Sequence, residues 1–147
     1  MKSSRAFTLI ELVMIISILL IILLIPGLKG DTLLNYKERQ ELKELKTDIN
    51  YARNKTIVES KKHIVDIRPY NNSYVIYRLE GSRKIVKRKE LTNGIKINKT
   101  NIKGNEIIFT YSGAPELAGT IELENRKGKQ IQITITPATG KVNIYFD

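Results

Sequence analysis

Few residues in this chain have the type and setting for chemistry. One carboxylate, Glu11, lies inside the apolar run from Ala6 to Ile25. A basic run, Arg83-Lys84-Ile85-Val86-Lys87-Arg88-Lys89, follows three tyrosines, Tyr70, Tyr74 and Tyr77. A charge at bilayer depth costs roughly 2.5–3.5 kcal/mol on insertion scales, so a retained intramembrane acid points to function. The plainer alternative places Glu11 in the first helical turn near the headgroups, where the helix dipole favours it. Basic side chains interleaved with aromatics suit phosphate contacts and base stacking, which makes Arg83, Lys84, Lys87, Arg88 and Lys89 candidate nucleic-acid contacts. A solvated strand face anchored by Ile85 and Val86 is the more economical reading of that run.

Other chemistry is excluded by what the chain lacks. There is no Cys, hence no disulfide framework, thiol nucleophile or thiolate metal site. The lone histidine, His63, has no second His to pair with and reads as a strand-start residue. Asp31, Asp48, Asp66 and the scattered Glu residues show no paired spacing suited to acid–base work or chelation. No glycine-rich loop follows a strand and opens a helix. The expectation is a protein that is not an enzyme, with no cofactor and no metal.

The elements that carry these residues follow from hydropathy and charge. As a helix rising ~1.5 Å per residue, Ala6 to Ile25 spans about 30 Å, the thickness of a hydrocarbon core. Lys2 and Arg5 before it stay cytoplasmic and send the following chain outward. No small-x-small site follows the run, and the attractive processing site lies before it, at Ala6-Phe7. Pro26 and Gly27, with Gly30 beyond, predict a kink or local melting around 25 to 31. The net charge of +10 is concentrated after the run, with ten basic residues against three acidic ones from 63 to 103. A patch of that sign fits nucleic acid, anionic lipid or an acidic partner.

From Asp31 to Lys62 the pattern is helical, with Leu42, Leu45, Ile49, Ala52 and Thr56 three and four apart. Glu41, Glu44 and Asp48 are expected on polar faces of that helix. From His63 the period becomes two, with strands expected at 63–68, 73–79, 83–91, 95–97, 106–111, 119–124, 130–136 and 141–146. The fold class is therefore α+β: a long N-terminal helix, apolar then amphipathic, packed on an antiparallel β-sheet domain. The domains divide as 1–6 leader, 7–28 transmembrane and assembly helix, 29–62 amphipathic stalk and 63–147 β domain.

Arg5 to Leu12, Arg-Ala-Phe-Thr-Leu-Ile-Glu-Leu, resembles the N-terminal cleavage and methylation motif of type IV prepilins and pseudopilins. The resemblance implies that a prepilin peptidase cuts between Ala6 and Phe7 and methylates the new amine of Phe7. It makes Glu11 the assembly carboxylate, offset by the Phe7 amine of the same or a neighbouring chain, and Pro26 a helix-breaking position. Ala6 stands where the family has Gly, and slower processing is expected. Ile107 to Gly113, Gly119 to Leu123 and Thr139-Gly140-Lys141-Val142 are similar to the strand endings of the GspH/FimT branch. These likenesses imply a minor subunit of a type IV pilus, a type II secretion pseudopilus or a competence pilus. Its implied partners are prepilin peptidase, other pilin or pseudopilin subunits in a helical filament, an inner-membrane assembly platform, membrane lipid and, in competence, DNA. The implied location is the cell membrane, crossed once, with the C-terminal domain outside the cytoplasm before filament assembly. The alternative is an unprocessed bitopic membrane protein displaying a basic nucleic-acid-binding domain.

Overall fold

The computed structural model describes residues 8–146, without the side chains of 23–34. Helix α1 (Leu9–Glu59) is followed by β1 (His63–Arg68), β2 (Ser73–Glu80), β3 (Ser82–Glu90), β4 (Lys96–Thr100), β5 (Glu106–Ile108), β6 (Gly119–Glu124), β7 (Gln130–Ile135) and β8 (Val142–Phe146). The chain divides into two compact units at Tyr36/Lys37, so α1 contributes to both. Its helical backbone continues through Pro26, Gly27 and Gly30.

In the first unit, Thr8 precedes the helix and its carbonyl accepts the N–H groups of Glu11 at 3.1 Å and Leu12 at 3.2 Å. The Thr8 hydroxyl also accepts from the Glu11 N–H at 3.4 Å. Thr8-x-x-Glu11 thus has the spacing of a capping box, which satisfies donors that the first turn would otherwise leave open.

In the second unit, eight strands form two antiparallel four-stranded sheets, ordered β3-β2-β1-β5 and β4-β6-β7-β8. The strand count matches the period-two reading, while the division into two sheets depends on non-local pairing that alternation does not encode. The expected strand 106–111 is shorter: β5 ends at Ile108, and Phe109 bridges Pro115 across a tight loop. In that loop the Thr110 N–H donates to the Ala114 carbonyl at 2.8 Å.

The sheets are tied by Asn72, which holds a left-handed φ of 47°. Its side-chain amide donates to the carbonyls of Leu91 and Ile95 at 2.7 and 2.8 Å. Its side-chain oxygen accepts the Ile97 N–H at 2.7 Å. A turn of the first sheet is thereby fastened to the segment that starts the second.

One core joins both sheets to α1. Leu42, Leu45, Ile49 and Ala52 bury against Val65, Ile67, Ile76, Ile107 and Phe109 from one sheet and Ile121, Leu123, Ile131 and Ile133 from the other. The stripe expected on the stalk is this buried face, and Thr56 continues it. Ile85 and Val86 depart from expectation: at 56% and 41% exposure they do not anchor β3. A register shift between Ile76 and Tyr77 places Ile85 opposite Tyr77 and leaves Val86 as the extra residue of a bulge on this sheet edge.

Replacing Ile49 by Ala should destabilise the full chain by about 2–5 kcal/mol, because a buried side chain is lost with little room to collapse. Ile85→Ala should cost less than about 0.5 kcal/mol. Denaturant unfolding of both variants in non-ionic detergent checks the contrast.

Candidate functional site

Two regions hold the residues singled out by chemistry. The first is the start of α1. Ala6 and Phe7 lie outside the described residues. Glu11 is exposed in the first helical turn. Every described side chain from Thr8 to Ile22 is also exposed, with Leu9 at 82%. The polar atom of Ser17 turns inward, its hydroxyl donating to the Val13 carbonyl at 2.7 Å, so beyond Glu11 the described helix start presents hydrocarbon all round. Among the described residues no helix is long and apolar enough to cross a membrane. The described side chains of the apolar run stop at Ile22. Pro26 and Gly27 lie where side chains are outside the description, and only their helical backbone is defined.

The second region is β3. Arg83 grips Glu106 with both terminal nitrogens, at 2.5 and 3.2 Å. Lys84 lies 3.4 Å from Glu80. Lys87 bridges Glu44 at 2.8 Å and Asp48 at 2.7 Å, and Lys89 meets Glu44 at 3.0 Å. Arg88 is the one member of the candidate set without a carboxylate partner among the described residues. The candidate nucleic-acid contacts are thus largely engaged in ion pairs that fasten an edge strand to α1 and to β5.

The partners on α1 correct the expectation of polar-face acids. Glu38, Glu41 and Asp48 are buried and turned towards the β domain. Glu41 accepts backbone N–H groups of Thr92 and Asn93 at 2.7 and 3.2 Å, holding the turn before β4. Glu38 lies 3.0 Å from Arg126. Asp48 accepts from the hydroxyl of buried Tyr74 at 2.5 Å. Burial first, then the bond to Asp48, pushes the Tyr74 phenol pKa far up. Burial pulls Lys87 down, but bonds to Asp48 and Glu44 outweigh it and raise the pKa. Lys87 and then Lys89 hold Glu44 below its ordinary value of 4.5. Lys61, and after it Lys84, holds Glu80 down at about 2.

His63 is a structural residue. Its N–H donates to Thr56 Oγ1 at 3.0 Å, and Nδ1 lies 2.9 Å from the Lys61 carbonyl oxygen. The motif glycines also have a packing role. Arg53 on α1 donates to the Gly113 carbonyl at 2.8 Å. A Cβ at Gly140, which has φ 63°, would lie 2.3 Å from that same oxygen. Gly113 and Gly140, far apart in sequence, therefore meet at one helix arginine. Among the described residues no cluster of His, Asp or Glu could hold a metal ion.

An N-terminal helix whose later part packs on antiparallel sheets defines a pilin-like fold. Two solved structures share it. The minor pseudopilin EpsH from the Type 2 Secretion System of Vibrio cholerae aligns with a TM-score of 0.56, covering 71% of this chain and 91% of its own at 9% identity. The type IV minor pilin FimU of Pseudomonas aeruginosa aligns with a TM-score of 0.52, covering 74% and 91% at 14% identity. No family model matches the sequence, and no curated protein does.

The helix–β3 ion pairs make stability pH-dependent with a definite sign. A carboxylate held below its ordinary pKa stabilises the fold above the unfolded value and loses that contribution as pH falls through the folded value. Stability should therefore decline as pH drops below about 4.5, and the separate pairing of Glu80 with Lys61 and Lys84 extends the decline towards about 2. Lys87→Met should cost about 1–3 kcal/mol at neutral pH, because Asp48 loses its cation in a buried setting. It should also flatten the acid limb, since Glu44 then titrates nearer its ordinary pKa. Thermal melts across pH 2–7 read both effects.

Proposed function

We propose that this chain is a minor pilin-like subunit of a helical filament, made as a membrane-anchored precursor. The observation that carries the proposal is the start of α1. A helix start that is exposed and apolar all round beyond Glu11 needs lipid or other apolar helices around it, and here it belongs to a chain with a pilin-like fold. In this reading prepilin peptidase cuts between Ala6 and Phe7 and methylates the Phe7 amine. Residues 7–28 anchor the single-pass precursor, with the C-terminal domain outside the cytoplasm. The assembly platform then transfers the helix from lipid to the filament.

Glu11 is the residue that directs this transfer. In lipid its carboxylate stays near the interface, where the helix N-terminus favours it. In the filament it meets the cationic Phe7 amine of a neighbouring subunit, and apolar side chains exchange lipid for protein. Pro26 removes one helical hydrogen bond and Gly27 lowers helix propensity, so in this reading the helix can yield there during assembly. The filament belongs to a type II secretion, competence or type IV pilus system. No reactive constellation argues for an enzyme. The rival reading, a displayed nucleic-acid-binding domain, loses support because most of its candidate cations already have carboxylate partners.

The first test is intact mass in hosts with and without prepilin peptidase. The expected result is a chain beginning at methylated Phe7 only where the peptidase is present; a full-length mass in both hosts would contradict the proposal. Glu11→Ala should insert and be processed normally but enter filaments poorly, which quantitative blotting of sheared filaments would read.

A further inference from the structure

The carboxylates of the β-domain unit are almost entirely engaged within the chain. Beyond those already described, Glu59 pairs with Lys55 at 2.7 Å and Asp66 with Arg68 at 2.9 Å. Glu116 pairs with Lys62 at 2.5 Å and Glu122 with Lys99 at 3.4 Å. Glu124 accepts from the Asn98 amide at 3.2 Å. Glu90 is the one carboxylate of this unit without a partner among the described residues. Cations are in surplus, and between residues 38 and 48 of α1 the acids turn to the domain while Arg39, Lys43 and Lys46 do not.

Glu38, Glu41, Glu44 and Asp48 face the domain, where each meets a cation or backbone N–H groups. Arg39, Lys43 and Lys46 recur at spacings of four and three on the other side of the helix, with no carboxylate partner among the described residues. Residues at these spacings are neighbours on a helix surface, with Cβ atoms about 5–6 Å apart, and like charges there repel. The acids of this helix segment are committed inward, so the outward cations have no counter-charge in their own chain.

We propose that Arg39, Lys43 and Lys46 form a docking face for a different filament subunit, one that presents a row of exposed carboxylates along a helix. The inference rests on the filament reading and adds the chemistry of the neighbour. Charge complementarity selects an acidic partner. A second copy of this chain is the wrong partner, because among the described residues of this unit all its carboxylates but Glu90 are engaged and its own stalk face is cationic. Three cations along one helix line fit another helix better than a flat anionic bilayer. Such a subunit assembles beside acidic relatives rather than beside itself.

The test uses the full chain in non-ionic detergent and a fluorescent helical peptide with Glu at spacings of three and four. Its control is the same peptide with Gln at those positions. At low salt the Glu peptide should bind at least about tenfold more tightly than the Gln peptide, and added salt should weaken it. The triple variant R39E/K43E/K46E should lose at least about tenfold in affinity. A control triple at other unpartnered surface cations, K96E/K129E/K141E, should change binding by less than about twofold. Circular dichroism melts should coincide for all three proteins, because every substituted side chain is at least partly exposed; if the reversal unfolds the chain, the R39Q/K43Q/K46Q variant supplies the same comparison.

Equal losses from both triples would overturn the proposal by reducing the effect to net charge. So would equal binding of the two peptides. A dimer in sedimentation that R39E/K43E/K46E dissociates would make a second copy the occupant. Flotation with phosphatidylglycerol vesicles that depends on the same three residues, without peptide binding, would make lipid the occupant. The mass of the mature chain reports separately on the filament reading, so failure of one is distinguishable from failure of the other.

Discussion

One helix has to satisfy two environments, and the rest of the chain is arranged by that constraint. Beyond Glu11 in its first turn, the described start of α1 offers hydrocarbon on every side, with its one hydroxyl, on Ser17, bonded to its own backbone. From Glu38 onward the same helix carries an apolar stripe bordered by acids. Leu42, Leu45, Ile49 and Ala52 supply the helical part of the core over which both sheets close. Burying that stripe is the dominant favourable term, since apolar area removed from water contributes roughly 25 cal/mol per Å². The bordering carboxylates then fix how strands and loops approach the helix.

Those carboxylates explain why a strand with five basic residues lies where it does. β3 is an edge strand, and an unpaired edge invites association with other chains. Its lysines cover the edge with charge while reaching Glu44 and Asp48 on α1. The same helix holds the turn at Thr92-Asn93 through Glu41 and the loop at Gly113 through Arg53. Gly140 leaves room for that loop, where any side chain would meet the Gly113 carbonyl oxygen. The polar border of the stalk is thus part of the domain's construction.

Much of this was legible in the sequence because it depends on local period. The 3.6-residue stripe from Leu42 to Thr56 marked the buried helix face, and period-two alternation marked eight strands. What was not legible depends on pairing across the chain. β5 joins the first sheet while β4 belongs to the second, an exchange that Ile97 and Ile107 do not announce. Glu41 and Asp48 read as solvent-facing because their partners, the Thr92 and Asn93 amides, Tyr74 and Lys87, lie far along the sequence. The basic run had the composition of a phosphate-binding surface, and only the fold supplies its carboxylates. Thr8-x-x-Glu11 carried a helix-start signal at the sequence level, and it places Glu11 in the first turn, where its charge is least costly.

The exposed apolar start of α1 needs apolar neighbours, and the proposed filament would supply them from other subunits. The chain has no native cysteine, so one introduced residue reports without background. With Ile18→Cys in the native host, and a second cysteine on the corresponding apolar helix of a co-assembling subunit, oxidative cross-linking measures whether the helices meet. An intersubunit cross-link is expected in sheared filaments and should disappear when prepilin peptidase is absent. A cross-link formed equally without the peptidase, or filaments that never contain the chain, would contradict the filament reading.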